Sequence, residues 1–93
     1  MCEGVTRKRL IAYGRVQDVG FRYSLVGRAE ARHVAGWVRN RADGSVEAVF
    51  EGAPDAVDAL VDWCRAGPRG ARVDRIEVYD EEPSGVRDFT ITV

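Results

Sequence analysis

The stretch Gly14-Arg15-Val16-Gln17-Asp18-Val19-Gly20-Phe21-Arg22 decides how this chain of 93 residues is organised. The run before it, Arg9-Leu10-Ile11-Ala12-Tyr13, is mostly apolar and typical of a short strand. An apolar repeat with helical spacing starts near Phe21. The stretch therefore links a strand to a helix N-terminus, where backbone N–H groups lack partners within the helix and carry a partial positive charge. With Arg22 in the first turn, we expect this link to bind an anion, most naturally a phosphate.

A second stretch, Gly36-Trp37-Val38-Arg39-Asn40-Arg41-Ala42-Asp43-Gly44-Ser45-Val46-Glu47, predicts a β-hairpin. Strands are predicted over residues 34–40 and 45–51, and Asp43-Gly44 between them is the strongest short turn signal. The second strand alternates, and we expect one face to be buried and the other to face solvent. The buried set is Val46, Ala48 and Phe50, and the set facing solvent is Glu47, Val49 and Glu51.

The remaining pattern completes the order β-α-β-β-α-β. The first helix is predicted over residues 21–32, with Phe21, Leu25 and Ala29 facing inward. The second helix opens at residues 53–55 and ends before Gly67-Pro68, and its apolar stripe consists of Val57, Leu60, Val61 and Cys64. Strands are predicted over residues 8–13, 73–79 and 89–93. This order predicts an α+β, ferredoxin-like sandwich, with two helices on one face of an antiparallel sheet and a short extra C-terminal edge strand. We expect residues 1–6 to form a flexible tail and residues 7–93 a single domain.

The two stretches resemble a known family. Gly-x-Val-Gln-x-Val-x-Phe-Arg, over residues 14–22, resembles the phosphate-binding signature of acylphosphatases, small enzymes that hydrolyse carboxyl–phosphate mixed anhydrides. Residues 36–47 are similar to the second block of that family, in which an asparagine ends a strand before an Asp-Gly hairpin. The resemblance spans nearly the whole chain. It implies an acid-anhydride hydrolase that acts on a small-molecule acyl phosphate and needs no cofactor and no metal.

The resemblance also implies roles for individual residues. Arg22 would grip the phosphate, and Asn40 would orient the attacking water. The phosphate cradle would be formed by backbone N–H groups of Arg15, Val16, Gln17, Asp18, Val19, Gly20 and Phe21. The Gln17 side chain could either brace the loop or contact substrate, and we favour bracing. Taken singly, Arg22 could be a solvated helix residue and Asn40 a turn former before Asp-Gly.

The expected reaction needs few groups. A carboxylate leaving group, with a conjugate-acid pKa of roughly 4, departs at neutral pH without a proton donor. Phosphoryl transfer spreads negative charge over the phosphoryl oxygens, so catalysis is mostly positioning and charge stabilisation. An anion cradle, one arginine and one group that holds a water would suffice for direct in-line attack.

Asp18 departs from the family pattern, which usually has glycine there. If the position requires a positive φ, aspartate adopts it at a cost of about 1 kcal/mol. Its negative charge would also repel a phosphate dianion. We therefore expect the Asp18 side chain to point to solvent, and activity to survive with weakened phosphate affinity.

Charge is unevenly distributed along the chain. The net charge is −1, which gives no reason to expect nucleic acid as a partner. Residues 1–41 carry nine Lys/Arg against three Asp/Glu, and residues 42–93 carry five against twelve. The basic part contains both motif stretches, as an anionic substrate favours, although a mixed solvated surface explains the distribution equally well.

Several other functions are disfavoured. An RNA-binding module could use Trp37, Trp63 and Tyr79 for stacking, but no RNP-like run is present. Cys2, Cys64 and the lone His33 fit no zinc spacing, and His33 is expected to end the first helix.

The remaining alternative is a non-catalytic domain of the same type that binds phosphate or acyl phosphate. The chain shows no apolar run long enough to cross a bilayer, and we expect a cytoplasmic monomer.

Overall fold

The computed structural model describes residues 4–93, which form five strands and two helices. In chain order these are β1 (Thr6–Arg15), α1 (Phe21–Ala31), β2 (Ala35–Asn40), β3 (Val46–Gly52), α2 (Pro54–Cys64), β4 (Arg72–Glu81) and β5 (Phe89–Ile91). The predicted tail, residues 1–6, lies partly outside the described residues, and β1 begins at its last position. Each predicted element is present, with ends shifted by a few residues.

The strands form one sheet in the order β4-β1-β3-β2-β5. β1 pairs antiparallel with β3 and β4, and β2 pairs antiparallel with β3. This confirms the ferredoxin-like sandwich. β5 takes the edge beside β2, as predicted for the extra strand, but it pairs in parallel and so makes the sheet mixed. The parallel pairing arises because residues 82–88 cross one end of the sheet from one edge to the other, so β5 runs opposite to β4.

The two helices pack on one face of the sheet over a single apolar core. The inward positions predicted for both helices are buried: Phe21, Leu25 and Ala29 in α1, and Val57, Leu60, Val61 and Cys64 in α2. The Phe21 ring meets the Trp63 ring edge-on, with centroids 5.3 Å apart. Full burial of a phenylalanine side chain contributes about 1.5–3 kcal/mol to folding. The core therefore fixes the first residue of α1 against α2.

α1 ends close to its predicted boundary. His33, which is exposed, adopts a left-handed conformation with φ of 56° directly after the helix. The N–H groups of His33 and Val34 donate to the carbonyls of Glu30 and Ala29, at 3.2 and 2.9 Å. This is the Schellman arrangement, in which the left-handed position more often holds glycine. His33 is thus a helix-end residue.

The outer face of β3 differs from the prediction. Glu47 and Glu51, expected to face solvent, are only 6% and 5% exposed. Arginines of the neighbouring strands cover them: Arg9 and Arg39 contact Glu47 at 3.1 and 2.7 Å, and Arg7 contacts Glu51 at 2.9 Å. Alternation along β3 indicated the two faces correctly. The exposure was predicted wrongly, because a central strand has neighbours on both sides whose long side chains cover its outer face.

Glu51 also holds the connection between β4 and β5. Its carboxylate accepts hydrogen bonds from the backbone N–H groups of Ser84, at 3.0 Å, and Gly85, at 2.8 Å. Burial acts to raise the pKa of Glu51, but these N–H groups and the Arg7 guanidinium outweigh it and hold the pKa below its ordinary value. The charged form of Glu51 therefore stabilises the folded state.

This leads to a prediction for the pH dependence of stability. A carboxyl group whose pKa is lower in the folded state stabilises the protein above its unfolded pKa of about 4.3, and this contribution is lost as the pH falls through the folded pKa. In urea unfolding at pH 7, Glu51→Gln should therefore lower the free energy of unfolding by about 1–3 kcal/mol. The difference from wild type should shrink at pH 3. Glu82→Gln, an exposed position on the same connection, is the control and should change little at either pH. An equal deficit at both pH values would contradict the account.

Candidate active site

The site begins where β1 leaves the sheet. The pairing of β1 with β4 shifts register between Tyr13 and Gly14, which marks a β-bulge. Gly14 has φ of 129°, and a Cβ there would lie 2.2 Å from the carbonyl oxygen of Arg72. Only glycine fits this approach of two backbones. The bulge directs the chain out of β1 at Arg15 and into a loop, residues 16–20, that leads to α1.

The loop ends in a helix N-terminus whose backbone donors find no acceptor in the described part of the chain. Gly20 is the N-cap of α1, with φ of 80°, and neither a capping side chain nor an acidic residue occupies the first turn. Among residues 4–93, no acceptor receives a hydrogen bond from the backbone N–H groups of residues 17–22. Unpartnered N–H groups at the positive end of a helix favour a bound anion. The loop can therefore act as an anion cradle.

Gln17 ties this loop to the β2–β3 hairpin. Its side-chain amide donates to the backbone carbonyls of Arg41, at 2.8 Å, and Ser45, at 3.0 Å. These are the contacts of a bracing residue, which is the role we favoured. The hairpin is itself closed by Asp43, which accepts from the Ser45 hydroxyl and N–H, and these bonds lower the pKa of Asp43. Gln17 thus places the end of β2 beside the start of α1.

Asn40 is the last residue of β2, and its side-chain oxygen lies at the start of the β2–β3 hairpin. Its Oδ1 is buried, and no hydrogen-bond donor reaches it from the described part of the chain. A buried oxygen left unpaired costs about 1–3 kcal/mol, so such a group in a native protein calls for an explanation. A bound water or substrate that donates to Oδ1 supplies one.

Arg22 and Asn40 line the same small pocket. Its volume is about 190 Å³, and it is lined by Val16, Asp18, Gly20, Phe21, Arg22, Tyr23 and Asn40. Arg22 forms no salt bridge with any residue from 4 to 93, in contrast to Arg7, Arg9 and Arg39 on the sheet. An arginine free of carboxylates can present its full charge to an anion. The pocket thus combines one cation, one unpaired acceptor and a helix N-terminus.

The remaining predicted loop residues lie outside the pocket lining. Arg15 is exposed at the end of β1 and opposite Arg72, Gln17 braces the hairpin, and Val19 packs against the core. Tyr23 lines the pocket and was not predicted from the sequence. The sequence did contain a signal for Tyr23. An aromatic residue directly follows Arg22 in the first turn of α1, and it does not belong to the inward-facing repeat of the helix.

Comparison with known proteins identifies the family of this chain. The model of the acylphosphatase family matches residues 8–91. This chain belongs to the acylphosphatase family. It is 53% identical over 85 residues to the acylphosphatase of Thermococcus kodakarensis, covering 91% of this chain and 93% of the relative. It is 57% identical over 86 residues to the acylphosphatase of Rubrobacter xylanophilus, covering 91% and 78%.

Solved structures of acylphosphatases share the fold closely. The acylphosphatase from Bacillus subtilis superposes with a TM-score of 0.91 at 38% identity, over 95% of this chain and 99% of that one. The acylphosphatase from Coxiella burnetii gives a TM-score of 0.90 at 32% identity, over 95% and 93%. These relatives support an acylphosphatase, a hydrolase that acts on acid anhydrides, over a non-catalytic binding domain. No helix within residues 4–93 of this acylphosphatase is long and apolar enough to cross a membrane.

Asp18 lies where the family pattern usually has glycine, and its backbone conformation is one that favours glycine. Its φ is 63°, in the left-handed region, and the residue is exposed while still lining the pocket. Within the described chain its carboxylate has no hydrogen-bond or salt-bridge partner. An unneutralised negative charge therefore lies at the rim of a pocket suited to anions.

We expect Asp18→Gly to lower the Michaelis constant for an acyl phosphate about fivefold, because a unit charge repels a dianion by about 1 kcal/mol at ~8 Å in water-like surroundings. Asp18→Asn keeps a side chain that tolerates the left-handed conformation but removes the charge, and it should give a similar change. Steady-state kinetics at low ionic strength measures both variants. An unchanged Michaelis constant in the two would mean that the Asp18 charge does not act on the substrate.

Proposed function

We propose that this acylphosphatase hydrolyses acyl phosphates to carboxylate and inorganic phosphate by direct in-line attack of water, with Arg22 and Asn40 as its catalytic residues. One observation carries the proposal. The Arg22 guanidinium and the Asn40 Oδ1 line one pocket at the N-terminus of α1. Among residues 4–93, no carboxylate pairs with Arg22 and no donor reaches Asn40 Oδ1. An anion and a water held there would be adjacent.

The cradle and Arg22 would bind the phosphate group. Backbone N–H groups of the pocket-lining residues Asp18, Gly20, Phe21 and Arg22 can donate to the phosphoryl oxygens. The Arg22 guanidinium can donate two parallel hydrogen bonds. The negative charge on these oxygens is redistributed in the transition state. Donors already fixed in place stabilise that charge without having to move. The helix N-terminus contributes additional positive potential.

Asn40 would position the nucleophile. Its Oδ1 can accept a hydrogen bond from a water and so direct a lone pair of that water toward phosphorus. A largely dissociative phosphoryl transfer makes little demand on the strength of the nucleophile, so a positioned water suffices without a strong base. The carboxylate leaves without protonation, because its conjugate acid has a pKa of roughly 4. No step in this sequence requires a metal ion or an organic cofactor.

The groups assigned to the reaction all belong to one chain, and we propose that a monomer is the active form. Cys64 is a free, buried cysteine on α2, and burial raises the pKa of its thiol, which keeps it from acting as a nucleophile. A free thiol is compatible with the reducing cytoplasm that we propose as the location.

Arg22→Ala should lower kcat/KM for benzoyl phosphate, assayed in EDTA, by about 10³-fold or more, by analogy with loss of an arginine finger. It should also weaken competitive inhibition by inorganic phosphate, because the guanidinium contacts the ground-state anion as well. Arg32→Ala, an exposed arginine just after α1, is the matched control and should behave as wild type. Equal activity of the Arg22 and Arg32 variants would remove Arg22 from the mechanism.

Asn40→Ala should lower kcat by about 10²- to 10³-fold, as expected for the loss of a positioning group. Inhibition by inorganic phosphate should change little, since Asn40 is assigned to the water and not to the phosphate. Circular dichroism and thermal unfolding check that the variant folds. Phosphate that binds normally to a wild-type protein without turnover would instead favour the non-catalytic binding domain.

A further inference from the structure

Tyr23 is exposed without a structural reason. It is 72% exposed, and among the large hydrophobic residues of the described chain only Val93, at the chain end, is more exposed. The other tyrosines have partners. Tyr13 and Tyr79 both hydrogen-bond to Glu77, and arginine guanidinium groups lie 4.0 and 4.7 Å from their rings. The Tyr23 hydroxyl has no partner among residues 4–93, and its ring has only the Arg22 guanidinium, at 5.8 Å.

The exposed ring of Tyr23 lies at the candidate active site. It lies in the first turn of α1, directly after Arg22, and it lines the pocket that contains Arg22 and Asn40. The other apolar side chains of the pocket, Val16 and Phe21, are 1% and 2% exposed. Tyr23 is therefore the one large apolar surface that the pocket lining offers to a ligand.

The size of the pocket determines which part of a substrate would meet this ring. Its volume of about 190 Å³ is below the roughly 300–1,000 Å³ of pockets that enclose drug-sized ligands. A phosphate held by the α1 N-terminus and Arg22 would occupy the inner part. The acyl group attached to that phosphate would then extend to the rim, where Tyr23 lies.

We propose that Tyr23 is a specificity-determining residue, which contacts the acyl group and favours acyl phosphates with aromatic or other bulky apolar acyl groups over acetyl phosphate. This inference rests on the proposed function of the same pocket. An apolar acyl group gains by covering the exposed ring, and an aromatic group can also stack on it. Acetyl phosphate, with a single methyl group, can cover little of the ring.

A second role for Tyr23 makes a different prediction. Its ring could orient the Arg22 guanidinium through a cation–π contact. In that case, truncation of Tyr23 would lower the turnover of every acyl phosphate by the same factor, because Arg22 acts on the common phosphate group. Contact with the acyl group changes the ratio between substrates.

The test compares kcat/KM for benzoyl phosphate and acetyl phosphate in the wild type, Tyr23→Ala and Tyr23→Phe. We expect Tyr23→Ala to lower the benzoyl-to-acetyl ratio about 3- to 10-fold, the effect of one aromatic contact, through a higher Michaelis constant for benzoyl phosphate. Tyr23→Phe keeps the ring and should keep the ratio. Tyr79→Ala removes an exposed tyrosine from β4, outside the pocket, and should leave both activities unchanged.

The outcomes separate this inference from the proposed function. A wild-type protein that hydrolyses neither substrate would overturn the proposed function, and the role of Tyr23 with it. Turnover of both substrates, with a ratio that Tyr23→Ala leaves unchanged, would overturn the Tyr23 assignment alone. An equal fall with both substrates would also overturn it and assign Tyr23 to the orientation of Arg22.

Discussion

The backbone N–H groups at the start of α1 have no hydrogen-bond acceptor within the described chain, and packing around the helix holds them in this arrangement. Such groups are normally satisfied by a capping side chain, and Gly20 supplies none. The first residue of the helix, Phe21, is fixed by burial against Trp63. Burial in the core therefore stabilises the start of the helix, although its N–H donors are left for an anion to bind.

The fold also fixes the position of Asn40, on the other side of the pocket. Asn40 ends β2, a strand whose register is set by pairing with β3 on one side and β5 on the other. The Gln17 amide then holds the loop of residues 16–20 to the hairpin that follows Asn40. Two segments 24 to 28 residues apart in sequence are thus joined through backbone carbonyls, whose positions depend little on side-chain identity.

On the face of the sheet opposite the helices, charged groups pair with one another. Arg7, Arg9 and Arg39 are neutralised by Glu47, Glu51 and Glu81. These three arginines belong to the first half of the chain, where positive charge is in excess, and all three pair with carboxylates of the second half. Pairing between the two halves of the chain therefore explains the basic residues on the sheet. Arg22, on α1, has no carboxylate partner within residues 4–93.

The sequence by itself determined the order of the elements, the inward faces of both helices and the Asp-Gly hairpin, because these depend on periodicity and turn chemistry within short segments. Its resemblance to acylphosphatases also indicated Arg22 and Asn40. Only the tertiary structure decided that Glu47 and Glu51 are buried, that β5 pairs in parallel, and that Tyr23 shares a pocket with Asn40. Each of these depends on which segments become neighbours across the sheet or around the pocket. Such contacts join residues distant in sequence, and no local pattern encodes them.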